Sequence, residues 1–295
     1  MTLISLEPDY ASRITDFLKA MPPQDSHDGD ITTNAATVAA LCSIPSSPLE
    51  RLRICCRTLL NTTGYLILRG LKQSSDVRDI LAIGHVLGTV FNDLTQQTTT
   101  IVEASPELGS TLQGNQLGPL LLHTDFAMLQ QPPHVTVIQC LNADPGGENY
   151  GVNGVVVAQH IVSRYFDSPA VQRFFEIPLP FGGQTPAGEA QVATHPILSH
   201  PMVGNLTAVR FHPSRIHHGA RVLGRSLTKD ESRVLREFQA LAYRMRLTLR
   251  LQPDDFLLLN NRAVLHDRTE CSLFLSESGA RSRRARILFV QELHV

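Results

Sequence analysis

Two short stretches carry residue types from which a metal site can be built: His123-Thr124-Asp125 and, far along the chain, Val264-Leu265-His266-Asp267. On an extended strand, residues i and i+2 face the same side. His123 and Asp125 would then offer an imidazole and a carboxylate from one strand edge. A third ligand, His266 from another strand, completes a 2-His-1-carboxylate facial triad, the donor set that holds non-haem Fe(II) with coordination positions left open. The same three donors around a metal-bound water would also serve a zinc hydrolase. His-x-Asp is a common tripeptide, so its surroundings have to decide.

The surrounding elements read as strands with helices gathered towards the N-terminus. Residues 10–20 have a helical pattern, followed by a polar stretch rich in Pro, Asp and Ser. Pro48-Leu49-Glu50 opens a second helix, with Pro in its first turn and an acid after it. Its apolar face comprises Leu49, Leu52, Ile54, Cys56, Leu59 and Leu60. Residues 65–69 form an apolar strand closed by Gly70, and 74–88 a further amphipathic helix. Residues 120–126 are the strand that carries the metal motif. In 134–141, Val135, Val137 and Gln139 share one face and Thr136, Ile138 and Cys140 the other, as in a strand covered on both sides. Residues 152–157 lead into a helix at 158–165. Residues 181–204 are rich in Gly, Pro and His, and a long irregular stretch there would be a lid or binding loop. Thr228 and Glu231 form a capping box for a helix reaching 244. Strands at 206–211, 256–259, 263–266 and 287–290 complete the pattern. It argues for an antiparallel β core with helices outside. No linker or repeat divides residues 1–295, which read as one domain with 1–48 as an N-terminal extension packed on it.

Composition narrows the function classes. The chain has 295 residues, 42% hydrophobic and 18% charged, enough for a sizeable core, and a formal net charge of −1. That balance gives no strong positive field for nucleic acid or an anionic membrane. The five cysteines form no Cys-x-x-Cys pair, so a zinc ribbon is not expected. No basic and apolar leader and no transmembrane run stand out, and a cytoplasmic location is the expectation.

In order along the chain, Gly64-Tyr65-Leu66-Ile67-Leu68-Arg69-Gly70, His123-Thr124-Asp125, Pro132-Pro133, Gly146-Gly147-Glu148-Asn149, the run from Pro253 to Arg262, His266-Asp267-Arg268 and the arginines from Arg281 onward resemble the Fe(II)/2-oxoglutarate oxygenases of the taurine dioxygenase and clavaminate synthase-like family. The resemblance spans roughly residue 64 to the C-terminus. It implies a mainly β fold with flanking helices around a double-stranded β-helix, or jelly roll. It also implies Fe(II) on His123, Asp125 and His266, with 2-oxoglutarate and O2 as co-substrates. The related halogenases lack the carboxylate, so Asp125 points to oxygen insertion or a related oxidation.

The family places the arginine that receives the distal carboxylate of 2-oxoglutarate at the start of the last strand. Arg281, Arg283, Arg284 and Arg286 compete for that role. Strand alternation puts Arg283, Ala285, Ile287 and Phe289 on one face and Arg284, Arg286, Leu288 and Val290 on the other. A single inward arginine backed by a small residue selects Arg283, with Arg281 and Arg284 as alternatives. Asn149 stands where some members use a threonine hydroxyl on the co-substrate, and its amide can donate the same hydrogen bond. Two further departures are Asp254, where many members carry Gly, implying a turn built differently, and Asp267, which would set an extra carboxylate beside a metal ligand. Arg268 is expected either to contact substrate or to pair with Asp267. Asn115 and Gln116, just before the metal strand, could form a substrate wall. His134, His195, His200, His212, His217 and His218 read as solvated loop residues.

The reading is therefore an enzyme that oxidises an unactivated C–H of a small polar metabolite such as an amino acid derivative, releasing succinate and CO2. Hydroxylation is the expected outcome. Desaturation, cyclisation and zinc-type hydrolysis are the alternatives, and a jelly-roll protein that binds without catalysis is the bland reading of the same fold.

Overall fold

The structure, a computed structural model, describes residues 3–19, 47–71, 77–92, 98–104, 113–184, 188–200, 206–276 and 279–294. In chain order these form β1 (Leu3–Ser5), α1 (Pro8–Lys19), α2 (Pro48–Thr62), β2 (Tyr65–Arg69), α3 (Arg78–Leu87), β3 (Gly88–Phe91), β4 (Thr99–Glu103) and β5 (Leu120–His123). There follow β6 (Val135–Asn142), β7 (Asn153–Val157), α4 (Ala158–Arg164), α5 (Pro169–Glu176), β8 (Leu179–Gln184), β9 (Ala190–His195), β10 (Leu198–Ser199) and β11 (Ala208–Val209). The remainder is α6 (Pro213–Val222), α7 (Lys229–Arg244), β12 (Leu247–Leu249), β13 (Phe256–Asn260), β14 (Val264–Arg268), β15 (Leu273–Ser276), β16 (Gly279–Ser282) and β17 (Arg284–Leu293).

Two sheets face each other. The larger has the order β1-β2-β13-β6-β17-β3, with β4 also on β17; the smaller has the order β12-β7-β14-β5. Pairing within both is antiparallel except for β1 on β2, which is parallel. This is the antiparallel β core with helices outside that the strand-rich pattern implied, in the jelly-roll form implied by the family resemblance.

Strand alternation sorts the side chains into three apolar layers. Tyr65, Ile67, Ile138, Cys140, Val155, Val157, Leu257, Leu259, Val264 and Ala285 fill the space between the sheets. Their neighbours in sequence, such as Leu66, Leu68, Val135, Val137, Phe256, Leu258, Leu288 and Val290, face outward under α1, α2 and α3. On the far side, Leu122, Val156 and Leu265 leave the smaller sheet to meet Phe174, Phe238 and Phe211. The faces read for 135–140 and 285–290 are the ones observed.

Helix starts follow their local chemistry. Ser47 Oγ accepts from the Glu50 amide ahead of Pro48. Thr228 and Glu231 exchange the two hydrogen bonds of a capping box, at 3.1 and 2.7 Å, and Arg225 grips the same Glu231 carboxylate. Ile54, expected on the apolar face of α2, is instead exposed. No helix among the described residues is long and apolar enough to cross a membrane.

Several expectations are corrected. The metal-motif strand stops at His123, so Asp125 stands in the turn beyond it. Of 206–211 only Ala208–Val209 is strand. The described part of 181–204 is not irregular: β8 and β9 pair as a hairpin and Leu198 pairs with Val209, while 185–187 and 201–204 lie outside the described residues. Asp254 has φ +78°, so the turn keeps the left-handed backbone that Gly would adopt rather than a different construction. The N-terminal residues supply more than packing, because β1 adds a strand to the larger sheet.

Candidate metal centre

Register brings the two histidines together. On β14 and β5, His266 lies directly opposite His123, and opposed residues of an antiparallel pair share a face. Their ring centroids are 4.3 Å apart. Asp125 reaches the same point from the turn, with Oδ1 3.5 Å from His123 Nε2 and Oδ2 3.5 Å from His266 Nε2. One donor atom from each of the three residues lies within 4.8 Å of the others.

Asp125 is fixed from both sides of its backbone. Its amide donates to Asn261 Oδ1 at 2.7 Å, and Asn261 Nδ2 donates to its carbonyl at 3.1 Å. Asn261 is buried in the turn between β13 and β14. Thr136 Oγ1, projecting inward from β6, donates to Asp125 Oδ2 at 2.6 Å. Thr124 is tied to the backbone of Phe211. The next residue, Phe126, has φ +52°, a conformation a bulky side chain rarely adopts. Its ring is held between Phe91 and Phe289, at 5.1 and 4.9 Å. Asn261, Thr136 and Phe126 thus replace the strand continuation that the sequence led one to expect.

The electrostatics favour ligation. Burial works against an ionised Asp125, but His266, His123 and the Thr136 hydroxyl outweigh it and hold the carboxyl well below the usual range. Burial pushes His266 down to about 4, against the pull of Asp125, so its ring is neutral near pH 7. Burial also presses on His123, yet contact with Asp125 and the Leu121 carbonyl raise it. His123 Nδ1 lies 2.8 Å from that carbonyl; the carbonyl can only accept, so Nδ1–H donates to it and the Nε2 lone pair is left for the site. His266 is buried, its Nε2 faces Asp125, and its Nδ1 has no hydrogen-bond partner among the described residues. Two buried imidazoles converging on an ionised carboxylate, with donor atoms this close together, are a donor set that suits Fe(II).

These ligands border a cavity of about 510 Å³. Val102, Phe126, Met128, Ile287 and Phe289 form apolar walls, and His212, Arg215, His218 and Arg221 line another side. A smaller recess of about 130 Å³ adjoins it between Gln116, His123 and His212. Sequence reasoning missed the basic wall by treating its histidines as solvated loop residues. His212 instead sits at the start of α6, its ring centroid 5.2 Å from that of His123. His134 is likewise buried. Pro213 followed by Arg215, His218 and Arg221 at three-residue steps was the available signal for a helix presenting one basic face.

The remaining candidates scatter. Arg283 turns inward, is buried, donates to Asn153 Oδ1 at 3.2 Å, and is not among the residues lining the cavity. Arg284 goes to Glu103 near the surface and Arg286 to Gln139 on the helix side. The Arg281 side chain lies outside the described residues. The Asn149 side chain is exposed, and Asn153 meets Arg283 instead. Arg268 does not pair with Asp267: it holds the carbonyls of Gln116 and Gly118 and the Cys271 thiol. Asp267 points away from the metal ligands and is gripped by Arg246 at 2.6 and 2.7 Å. Asn115 caps the Glu103 amide, and Gln116 borders only the smaller recess.

The fold recurs in solved structures. One is asparagine oxygenase in complex with Fe(II), 2S,3S-3-hydroxyasparagine and succinate. It has 16% identity and a TM-score of 0.75, with 99% of this chain and 94% of that one covered. The non-heme iron oxygenase OrfP in complex with Fe, succinate and (3S)-hydroxy-L-Arg is similar at 14% identity and TM-score 0.72, over 98% of this chain and 94% of that one. No curated protein sequence matches the chain. At the sequence level, the family described as taurine catabolism dioxygenase TauD, TfdA family matches residues 46–287, which include every ligand candidate. With that match across most of its length, the chain belongs to the TauD, TfdA family of dioxygenases.

Proposed function

We propose that this protein, a 2-oxoglutarate-dependent non-haem iron dioxygenase, hydroxylates an unactivated C–H bond of an amino acid or a derivative of one. The observation that carries this reading is the register of His266 on His123, with Asp125 clasped beside them at the wall of a partly apolar cavity. The substrate class follows the relatives, of which asparagine oxygenase was captured with a hydroxylated asparagine and OrfP with a hydroxylated arginine.

In this reading His123, Asp125 and His266 hold the iron. Bound iron with 2-oxoglutarate and O2 supplies the oxidising chemistry, with succinate and CO2 as the co-product pair. The protein supplies ligands, orientation and exclusion of water. Thr136 and Asn261 keep the carboxylate aimed, and the Leu121 carbonyl keeps His123 in the ligating tautomer. Phe126, Phe289 and Ile287 shield the reacting centre from bulk water.

Arg283 is the residue we assign to the distal carboxylate of 2-oxoglutarate. It is buried and inward, and no carboxylate among the described residues bonds it. A buried guanidinium in that state gains from an anion that fits its planar fork.

The test is anaerobic addition of Fe(II) and 2-oxoglutarate, which should give the visible metal-to-ligand charge-transfer band. Asp125→Ala and His266→Ala should lose the band and any substrate-stimulated succinate release. A wild-type protein with no band and no succinate would overturn the assignment.

A further inference from the structure

We propose that the substrate carries a carboxylate of its own and that Arg215, at the start of α6, receives it. The proposal rests on the oxygenase reading above and sets the substrate class for the same cavity.

The argument begins with how this chain treats its other arginines. Arg69 is matched to Asp255, Arg246 to Asp267, Arg225 to Glu231 and Arg262 to Glu292. Arg210, which has no acid, donates to the carbonyls of Ala127, Leu129 and Gln130. Arg215 differs. It lines the cavity half-buried, and no hydrogen bond or ion pair joins it to any described residue. Burial pushes its guanidinium down with no acid to oppose that. A cation partly removed from water and left unmatched is costly, and an incoming anion offsets the cost.

A second feature points the same way. The N-terminal end of α6 abuts the cavity, and His212 at its cap makes no side-chain hydrogen bond to the first turn. Helix N-termini carry partial positive charge and exposed amides, so they favour anions. Arg215 lies in that first turn, and Arg221 further along α6 lines the same cavity. Asp125, the acid of the described lining, is committed to the metal.

The rest of the lining is largely apolar, with Val102, Phe126, Met128, Ile287 and Phe289. Together they describe a ligand with an anionic head on α6 and an apolar body directed at the metal ligands. Arg283 is off this lining, so the two cations serve different carboxylates.

The test uses the Fe(II)- and 2-oxoglutarate-loaded protein without oxygen. The probes are the protein amino acids and their N-acetyl derivatives, each beside its primary carboxamide. Iron-induced relaxation of probe protons in NMR reads approach to the metal without needing turnover. At least one acid should be relaxed while its amide is not. Arg215→Ala should weaken that acid by about 30-fold or more, leaving the 2-oxoglutarate titration of the charge-transfer band unchanged. Arg215→Lys should recover part of the binding, which a purely structural defect would not do.

Amides as effective as acids, unchanged acid binding in Arg215→Ala, or no acid in the set approaching the iron would each overturn the proposal. Failure of the band itself, seen before any probe is added, would overturn the oxygenase reading and this proposal with it.

Discussion

At the scale of single residues, the proposed metal ligands depend on partners outside the His123, Asp125 and His266 cluster. Thr136 donates to Oδ2 of Asp125, and groups of this kind commonly change metal affinity when removed. Thr136→Val should weaken Fe(II) binding by about 10- to 100-fold, measured by competition with a chelator, with the melting temperature little changed. A second test separates the arginines of the last strand. Arg283→Ala should raise the 2-oxoglutarate KM far more than Arg284→Ala, whose side chain meets Glu103 near the surface; the reverse order would refute the register. The three residues that cluster here were legible as candidates because imidazole and carboxylate are the groups a metal needs. Asn261 was not, because its amide acts on a backbone 136 positions away, and no local pattern encodes such a contact. Arg268 misled for a related reason: position beside His266 says nothing about carbonyls brought in from residues 116 and 118.

Elements show where local rules were obeyed and where tertiary structure overrode them. Asp254 keeps a left-handed backbone at φ +78°, and burial together with the adjacent Asp255 pushes its carboxyl pKa up. Asp254→Gly should therefore stabilise the protein by about 1 kcal/mol, seen as a rise in denaturation midpoint with activity retained. The position of α6 depends on two glycines. A Cβ on Gly219 would lie 2.5 Å from the Pro180 carbonyl, and one on Gly182 2.5 Å from the Gly219 amide nitrogen. Backbone meets backbone there, so nothing flexible can yield. Gly219→Ala should displace the helix and lower turnover and melting temperature together, while Fe(II) binding by the strand-borne ligands persists. Long apolar strands and capped helices were readable from period and end signals. The helices α5 and α6 were not read, since α6 lies in a stretch dense in histidine and short of apolar residues.

For the molecule as a whole, the two sheets with helices outside them create three apolar layers, and buried polar groups sit at the seams. Arg69 and Asp255 join β2 to the turn before β13 through two hydrogen bonds of 2.7 Å. Asp255 is fully buried, so Arg69→Ala would strand its charge and should cost about 3 kcal/mol, read from urea denaturation. Burial also pushes His85 down, and His134 to about 4, with His294 and Arg262 respectively adding to the effect. The unfolded chain binds more protons than the folded one below about pH 6.5. Stability from these groups is thus present above that pH and lost as pH falls towards 4. Melting temperature should drop between pH 7.5 and 5, and a flat profile would contradict the assignment. The antiparallel β core was legible from strand density, and its jelly-roll form from the family resemblance. The basic wall of its cavity was not, because it depends on how a helix outside the sheets lies across their open end.

The origin of that wall has an evolutionary corollary. The side chains proposed to bind iron come from β5, the turn after it and β14, whereas His212, Arg215, His218 and Arg221 belong to α6 and the residue that starts it. Exchanging that one segment between relatives would reassign which molecules are accepted while leaving the oxidising centre intact, so selectivity in this lineage can diverge without passing through inactive ancestors.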